Sequence, residues 1–138
     1  MRNLIIALAV AVGLASSARA QSKEPAAQVE ALVHQMQSGK SDGVFMQFFA
    51  GSLLAKQKPT EIRAMDGQAK AALEFYGKPV AYELLDAQKI GASLVRMKWI
   101  TKHKDDSPLF WNALFYRRQG KWEPLNVVFF DDPTKALL

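Results

Sequence analysis

The chain has 138 residues, with 18 Lys and Arg against 13 Asp and Glu, a formal charge of +5, and no cysteine. The absence of cysteine excludes disulfides, thiolate metal ligands and cysteine nucleophiles, so the stability of the fold must come from packing. A chain of this length is typical of one domain with one modest core.

The first 20 residues have the three parts of a secretory signal peptide. Arg2 supplies a positive start, residues 4–15 form an apolar run, and residues 18–20 (Ala-Arg-Ala) form a small-residue cleavage signal. The run is too short to cross a bilayer, which needs roughly 20 residues. We therefore expect cleavage after Ala20, a periplasmic or secreted protein, and no integral membrane segment in the mature chain.

Residues 21–138 are predicted to form a single domain. Without Arg2 and Arg19 this domain keeps 16 basic and 13 acidic side chains, a formal charge of +3. So small a positive charge on an exported domain argues against nucleic-acid binding.

Residues 21–78 have the periodicity of three helices. In the first helix, an apolar stripe recurs at i, i+3, i+4 and i+7, and it consists of Val29, Leu32, Val33 and Met36. A shorter second helix carries Phe45 and Phe48. Thr60 is the predicted cap of a third helix, which Gly77 ends.

From Val80 onward the period changes to two, which predicts four antiparallel strands. The clearest alternation places one stripe of side chains on one face, namely Val95, Met97, Trp99, Thr101 and His103. Turn residues at 104–108 and at Gln119-Gly120 separate the strands. The predicted class is α+β, with the N-terminal helices packed on one face of a four-stranded antiparallel sheet.

Helices followed by "FYGKP" and then by long strands ending in "GKWEPLNVVFFDD" resemble the nuclear transport factor two-like (cystatin-like) cone fold. Within that superfamily the chain is most similar to small secreted bacterial domains of unknown function. The resemblance implies a strongly bent sheet wrapped around helices, a pocket in the cone and dimerisation through the sheet. It implies no single chemistry, because the fold hosts isomerases, dehydratases, binding modules and scaffolds.

A first hairpin turn centred on Asp106 predicts the register of the strands on either side of it. Trp99 then faces Ala113 and Thr101 faces Trp111 on the helix side of the sheet. The last hairpin pairs Phe110 with Phe129, and a bulge at Pro124 would shift this register by one residue.

Two sets of residues are candidate sites. The first set would line a pocket for a small apolar ligand inside the cone, or else form a closed core: Tyr82, Trp99, Trp111, Phe115 and Asn126. The second set would lie on the opposite face and bind a second copy of the chain: Phe110, Leu114, Tyr116, Leu125 and Phe129. Basic residues border this face at positions 96, 98, 102, 117 and 118, as an anion-binding rim or as solvated side chains.

The chain shows no motif for a metal or a cofactor. It has only two histidines, and the "HKDD" run at 103–106 lies on a predicted turn. The candidates for acid–base chemistry are His34, Tyr76, Tyr82, Asp86 and His103, and no two of them form a recognisable pair by spacing.

We therefore predict an exported, non-enzymatic domain that forms homodimers or binds a partner and holds a small apolar ligand. The alternative is a small acid–base enzyme of the isomerase or dehydratase type, with its site inside the cone. A third reading is an accessory protein of the cell envelope, recruited through the basic border.

Overall fold

The structure is a computed structural model that describes residues 23–137, so the predicted signal peptide lies outside the described residues. The helices are α1 (Pro25–Gln37), α2 (Val44–Phe48), α3 (Leu53–Gln57), α4 (Pro59–Tyr76) and α5 (Pro133–Leu137). The strands are β1 (Ala81–Ile90), β2 (Leu94–Lys102), β3 (Pro108–Arg118) and β4 (Lys121–Phe130). They form one antiparallel sheet in the order β1-β2-β3-β4, so the α+β class is confirmed.

The helical half of the chain differs from the prediction at two points. Helix α4 begins at Pro59 rather than after a Thr60 cap, because a proline in the first helical turn has no N–H to leave unsatisfied. The short helix α3 was not predicted, although Ser52 caps it by accepting a 3.1 Å hydrogen bond from the Ala55 N–H. The apolar stripe of α1 is buried as expected.

One core lies between the helices and one face of the sheet, which we call the inner face. The β2 stripe that alternation predicted is buried on this face, from Val95 to His103. Helix α2 contributes Phe45, whose ring lies 6.4 Å from that of Trp111. Phe48 of the same helix lies 6.0 Å from Phe115, so α2 fixes the helical layer against β3.

The predicted register between β2 and β3 is wrong by two residues. Trp99 is opposite Trp111, not Ala113, and Thr101 is opposite Leu109, not Trp111. The cause is the turn, in which Asp105 and Asp106 both have left-handed backbone angles (φ 62° and 57°), so that the hairpin centres one residue earlier. A shift of two residues keeps every side chain on its predicted face.

The register between β3 and β4 changes at a bulge. Near the turn, where Gln119 and Gly120 both have positive φ, Phe115 is opposite Pro124, as the prediction requires. Beyond the bulge, Phe110 is opposite Phe130. Phe129 is therefore opposite Trp111 on the inner face, and its predicted place on the outer face is wrong.

Candidate functional site

The predicted ligand-pocket aromatics lie together, but in the closed core. The rings of Trp99 and Trp111 stack with centroids 5.8 Å apart and planes 7° apart. Trp99, Trp111 and Phe115 are each at most 2% exposed. Phe129 covers Trp111 from β4, with ring centroids 4.9 Å apart. A ligand could reach this stack only by displacing side chains that fill the core.

The other two pocket candidates lie apart from each other. Tyr82 is half-buried beside the core, opposite Thr101 in the β1–β2 pair. Asn126 is exposed on the outer face, because the bulge places it opposite Leu114. Its predicted role as an inward polar handle is wrong for that reason.

A polar network that spacing alone did not reveal lies within the core. His103, only 1% exposed, has its Nε2 2.7 Å from the Thr101 Oγ1 and its Nδ1 2.7 Å from the Gly77 carbonyl oxygen. The Trp111 Nε1–H donates a 2.8 Å hydrogen bond to the same Thr101 oxygen. Burial lowers the pKa of His103 below its usual range, and the bond to Gly77 only partly opposes this effect.

The remaining acid–base candidates do not join this network into an open site. His34 lies on the surface of α1, 3.8 Å from Glu30, and Asp86 is exposed on β1. Tyr76 lies nearest, with its ring 6.1 Å from that of His103, and it donates a 3.2 Å hydrogen bond to Asp131. Partial burial, and then the bond to Asp131, raise the pKa of the Tyr76 hydroxyl.

The opposite face of the sheet, which we call the outer face, carries apolar side chains in two rows. Cross-strand pairing aligns Ile100, Phe110 and Phe130 in the first row. Leu94 and Tyr116 form the second row. All five side chains are half-buried; helices α1 to α4 pack on the inner face, and the short helix α5 contacts β3 and β4.

Between the two apolar rows lies a polar band of six residues: Asp86, Gln88, Arg96, Lys98, Asn112 and Asn126. Leu114, a predicted interface residue, is half-buried within this band between Arg96 and Asn126. Leu125, a second predicted interface residue, is the extra residue of the β4 bulge and has no cross-strand partner. The Asn112 Oδ1 is buried, and no described group donates a hydrogen bond to it.

A groove of about 610 Å³ runs between α4 and the free edge of β4. None of the residues that line this groove has an ionisable side chain; they are Phe45, Met65, Gln68, Ala71 and residues 126–130. Such a volume is within the range of small-molecule sites, which are mostly apolar with a few polar groups.

Two absences complete the description of residues 23–137. Within this range no three His, Cys, Asp or Glu side chains lie together as a metal site would require. None of the helices described is long and apolar enough to span a bilayer.

No family model matches the sequence, and no curated protein is similar to it. Among solved structures, the chain is similar to a protein from Campylobacter jejuni described as a "Putative NTF2-like transpeptidase". The match covers 74% of this chain and 97% of that chain, with a TM-score of 0.55 and 14% sequence identity. Likeness at this identity establishes the fold alone, so the chain has the NTF2-like α+β fold that its sequence resembles.

Proposed function

We propose that this domain is an exported, non-enzymatic binding module that forms a homodimer through the outer face of its sheet. The observation that carries the proposal is the pair of apolar rows on that face, which contain three aromatic side chains. Apolar side chains that remain half-buried on one face of a sheet can form part of a protein–protein interface. The edge of the polar band also carries both signs of charge, which allows the face to pair with a copy of itself.

The unpaired amide oxygen of Asn112 gives further support. Buried polar atoms in folded proteins nearly always have a hydrogen-bond partner, and an unmet acceptor costs about 1–3 kcal/mol. Asn112 lies in the middle of the outer face, next to Lys98 across the β2–β3 pair. Because this Oδ1 is buried within one copy, a donor from a second copy would pair with it only if the amide turns towards the interface on dimerisation.

The experiment replaces Phe110 and Leu114 with Glu and measures the molecular mass by sedimentation equilibrium. We expect the wild-type protein to be a dimer and the double variant to be a folded monomer, because two carboxylates cannot be buried unpaired. The matched control replaces Phe75, which is 82% exposed, and Val80, which is 67% exposed, with Glu, and it should remain dimeric. A wild-type protein that is monomeric at 100 µM, or a monomeric control, would overturn the proposal.

We place the small apolar ligand of this module in the groove between α4 and β4. The stacked tryptophans fill the interior of the cone, whereas the groove is open and has an uncharged lining. Gln68 and Asn126 supply the amide groups that could orient a neutral ligand there.

A second candidate function is an acid–base enzyme, and the hydroxyl–imidazole pair of Thr101 and His103 is the observation that favours it. The protein from Campylobacter jejuni is described as a "Putative NTF2-like transpeptidase", and transpeptidation requires a nucleophile. Thr101 is 0% exposed and its oxygen accepts the Trp111 N–H, so we favour the binding module. Covalent labelling of Thr101 by a phosphonate or β-lactam probe, located by peptide mass spectrometry, would reverse this preference.

A further inference from the structure

His103 joins three parts of the chain that are distant in sequence. It follows the last residue of β2, and its main-chain N–H donates to the Ser107 carbonyl across the turn. Its Nδ1 contacts the carbonyl of Gly77, the residue that ends α4. Its Nε2 contacts Thr101, which in turn accepts the indole N–H of Trp111 in β3.

The chemistry of these partners fixes the position of every proton. A carbonyl oxygen only accepts, so the Nδ1 of His103 must carry a proton and donate it to Gly77. An indole N–H only donates, so the Thr101 oxygen accepts from Trp111 and points its own proton at the Nε2 of His103. The network is therefore complete with a neutral imidazole protonated on Nδ1.

A second proton on His103 has no place in this network. An N–H at Nε2 would face the Thr101 hydroxyl, which would have to turn its own proton into a buried site without a described acceptor. The resulting charge would also be buried, which is costly unless a carboxylate compensates it. No carboxylate of the described residues lies within 4.0 Å of this ring, since the one histidine ion pair belongs to His34.

The charged and titratable groups around His103 come from each neighbouring element. They are Tyr76 at the end of α4 and Lys78 after it, Tyr82 and Glu83 in β1, Lys102 at the end of β2, residues 104–106 in the turn, and Asp131 after β4. Of the four carboxylates in this set, Glu83 lies 3.9 Å from the Lys102 Nζ and Asp131 accepts from Tyr76, whereas Asp105 and Asp106 are exposed on the turn. From β3, the neighbouring side chains of Leu109 and Trp111 carry no charge.

We infer that His103 is an acid-sensitive latch that fastens the C-terminal end of α4 to the sheet. The neutral imidazole holds Gly77 against the β2–β3 hairpin, and protonation breaks its bond to Thr101 and drives the ring out of the core. The segment released first is residues 77–80, which connect α4 to β1 and follow the exposed Phe75 near the end of that helix. This inference is independent of the dimer.

The direction of the effect follows from proton linkage. Burial lowers the pKa of His103 in the folded protein, so below about pH 6.5, the ordinary histidine value, the unfolded chain binds the proton first. The latch contributes fully above this pH. Its contribution falls as the pH decreases from there to the folded-state pKa, and it changes no further below that value.

The test follows the imidazole by NMR in a His34→Gln variant, which leaves one histidine in the chain. We expect the His103 ring resonances to titrate with a midpoint below 6.5. Between pH 7 and 5, amide protection factors at residues 73–80 and 101–107 should fall by up to tenfold per pH unit below about pH 6.5. A His103→Gln variant, whose side chain keeps a donor and an acceptor but does not titrate, should show protection factors that do not change over this pH range.

Two results would overturn the latch. One is a His103 titration midpoint at or above 6.5, which is measured in the His34→Gln protein and does not depend on whether the His103→Gln variant folds. The other is a pH-independent protection pattern in the His34→Gln protein. If the wild-type protein shows the pH dependence in that case, the effect belongs to the surface of α1, where His34 lies 3.8 Å from Glu30.

Discussion

Replacing Thr101 with Val tests whether the buried network contributes to stability. Valine has the shape of threonine but no hydroxyl, so the substitution leaves the Trp111 N–H without an acceptor and the His103 Nε2 without a donor. Each buried unsatisfied group costs about 1–3 kcal/mol, and we expect a combined loss of about 3 kcal/mol in the free energy of unfolding. The control is Thr101→Ser, which keeps the hydroxyl and loses one methyl group, at a cost of about 1 kcal/mol in the free energy of unfolding.

Urea unfolding followed by tryptophan fluorescence and circular dichroism measures the difference between the two variants. With a typical slope of about 1–3 kcal/mol per M, the valine midpoint should lie about 1 M below the serine midpoint. In the valine background, Trp111→Phe should cost less than in the wild type, because the indole N–H has already lost its acceptor. Equal stability of the two Thr101 variants, or additive effects of the Trp111 change, would refute this reasoning.

Two further predictions concern β4 and its groove. Phe129→Ala should lower the free energy of unfolding by about 2 kcal/mol, because a partly buried phenylalanine loses its contact with Trp111. Phe130→Ala should instead chiefly weaken the dimer, since Phe130 lies on the outer face. If Phe130→Ala lowers stability more in unfolding and Phe129→Ala weakens the dimer more in sedimentation, the register is contradicted. Ala71→Trp, at an exposed position of α4 that lines the groove, should abolish binding of the neutral dye Nile red, whereas Ala64→Trp on the same helix should not. If the two variants bind the dye equally in fluorescence titrations, the groove is not the ligand site.

The alternation of β2 predicted the inner face correctly because one side of that strand is buried along its whole length. The same pattern could not fix the register, since a shift of two residues leaves all faces unchanged. The left-handed backbone angles of Asp105 and Asp106 determine the register, and the turn propensities of these residues do not predict those angles. In β4, the extra residue Leu125 shifts the following residues by one position and puts Phe129 on the inner face, a shift that the apolar run at 127–130 could not reveal because it fits either face.

The network around His103 was partly visible in the sequence. Thr101 and His103 both fall on the predicted core stripe, and two polar residues in a buried stripe must satisfy each other or find backbone partners. The Gly77 carbonyl could not be predicted, because it approaches from the end of a helix 26 residues earlier. The same limit applies to Trp111, whose pairing with Thr101 depends on the register.

The arrangement of the outer face also sets how its proposed dimer responds to salt. A wholly apolar hairpin would give an interface that salt leaves unchanged or strengthens. The structure instead separates the apolar rows by a band that contains Asp86, Arg96 and Lys98. If the band lies inside the interface, opposite charges of the two copies face each other, and raising NaCl from about 0.1 to 1 M should weaken the dimer severalfold.

Neutralising Asp86 and Lys98 together, as Asn and Gln, should remove that salt dependence while preserving the dimer through Phe110 and its row. The same sedimentation assay measures both effects, with the Phe75 and Val80 variant as the control for added charge. A wild-type dimer that tightens with salt would place the contact on the apolar rows alone. It would also leave the unpaired Asn112 amide without the partner that the proposal assigns to it.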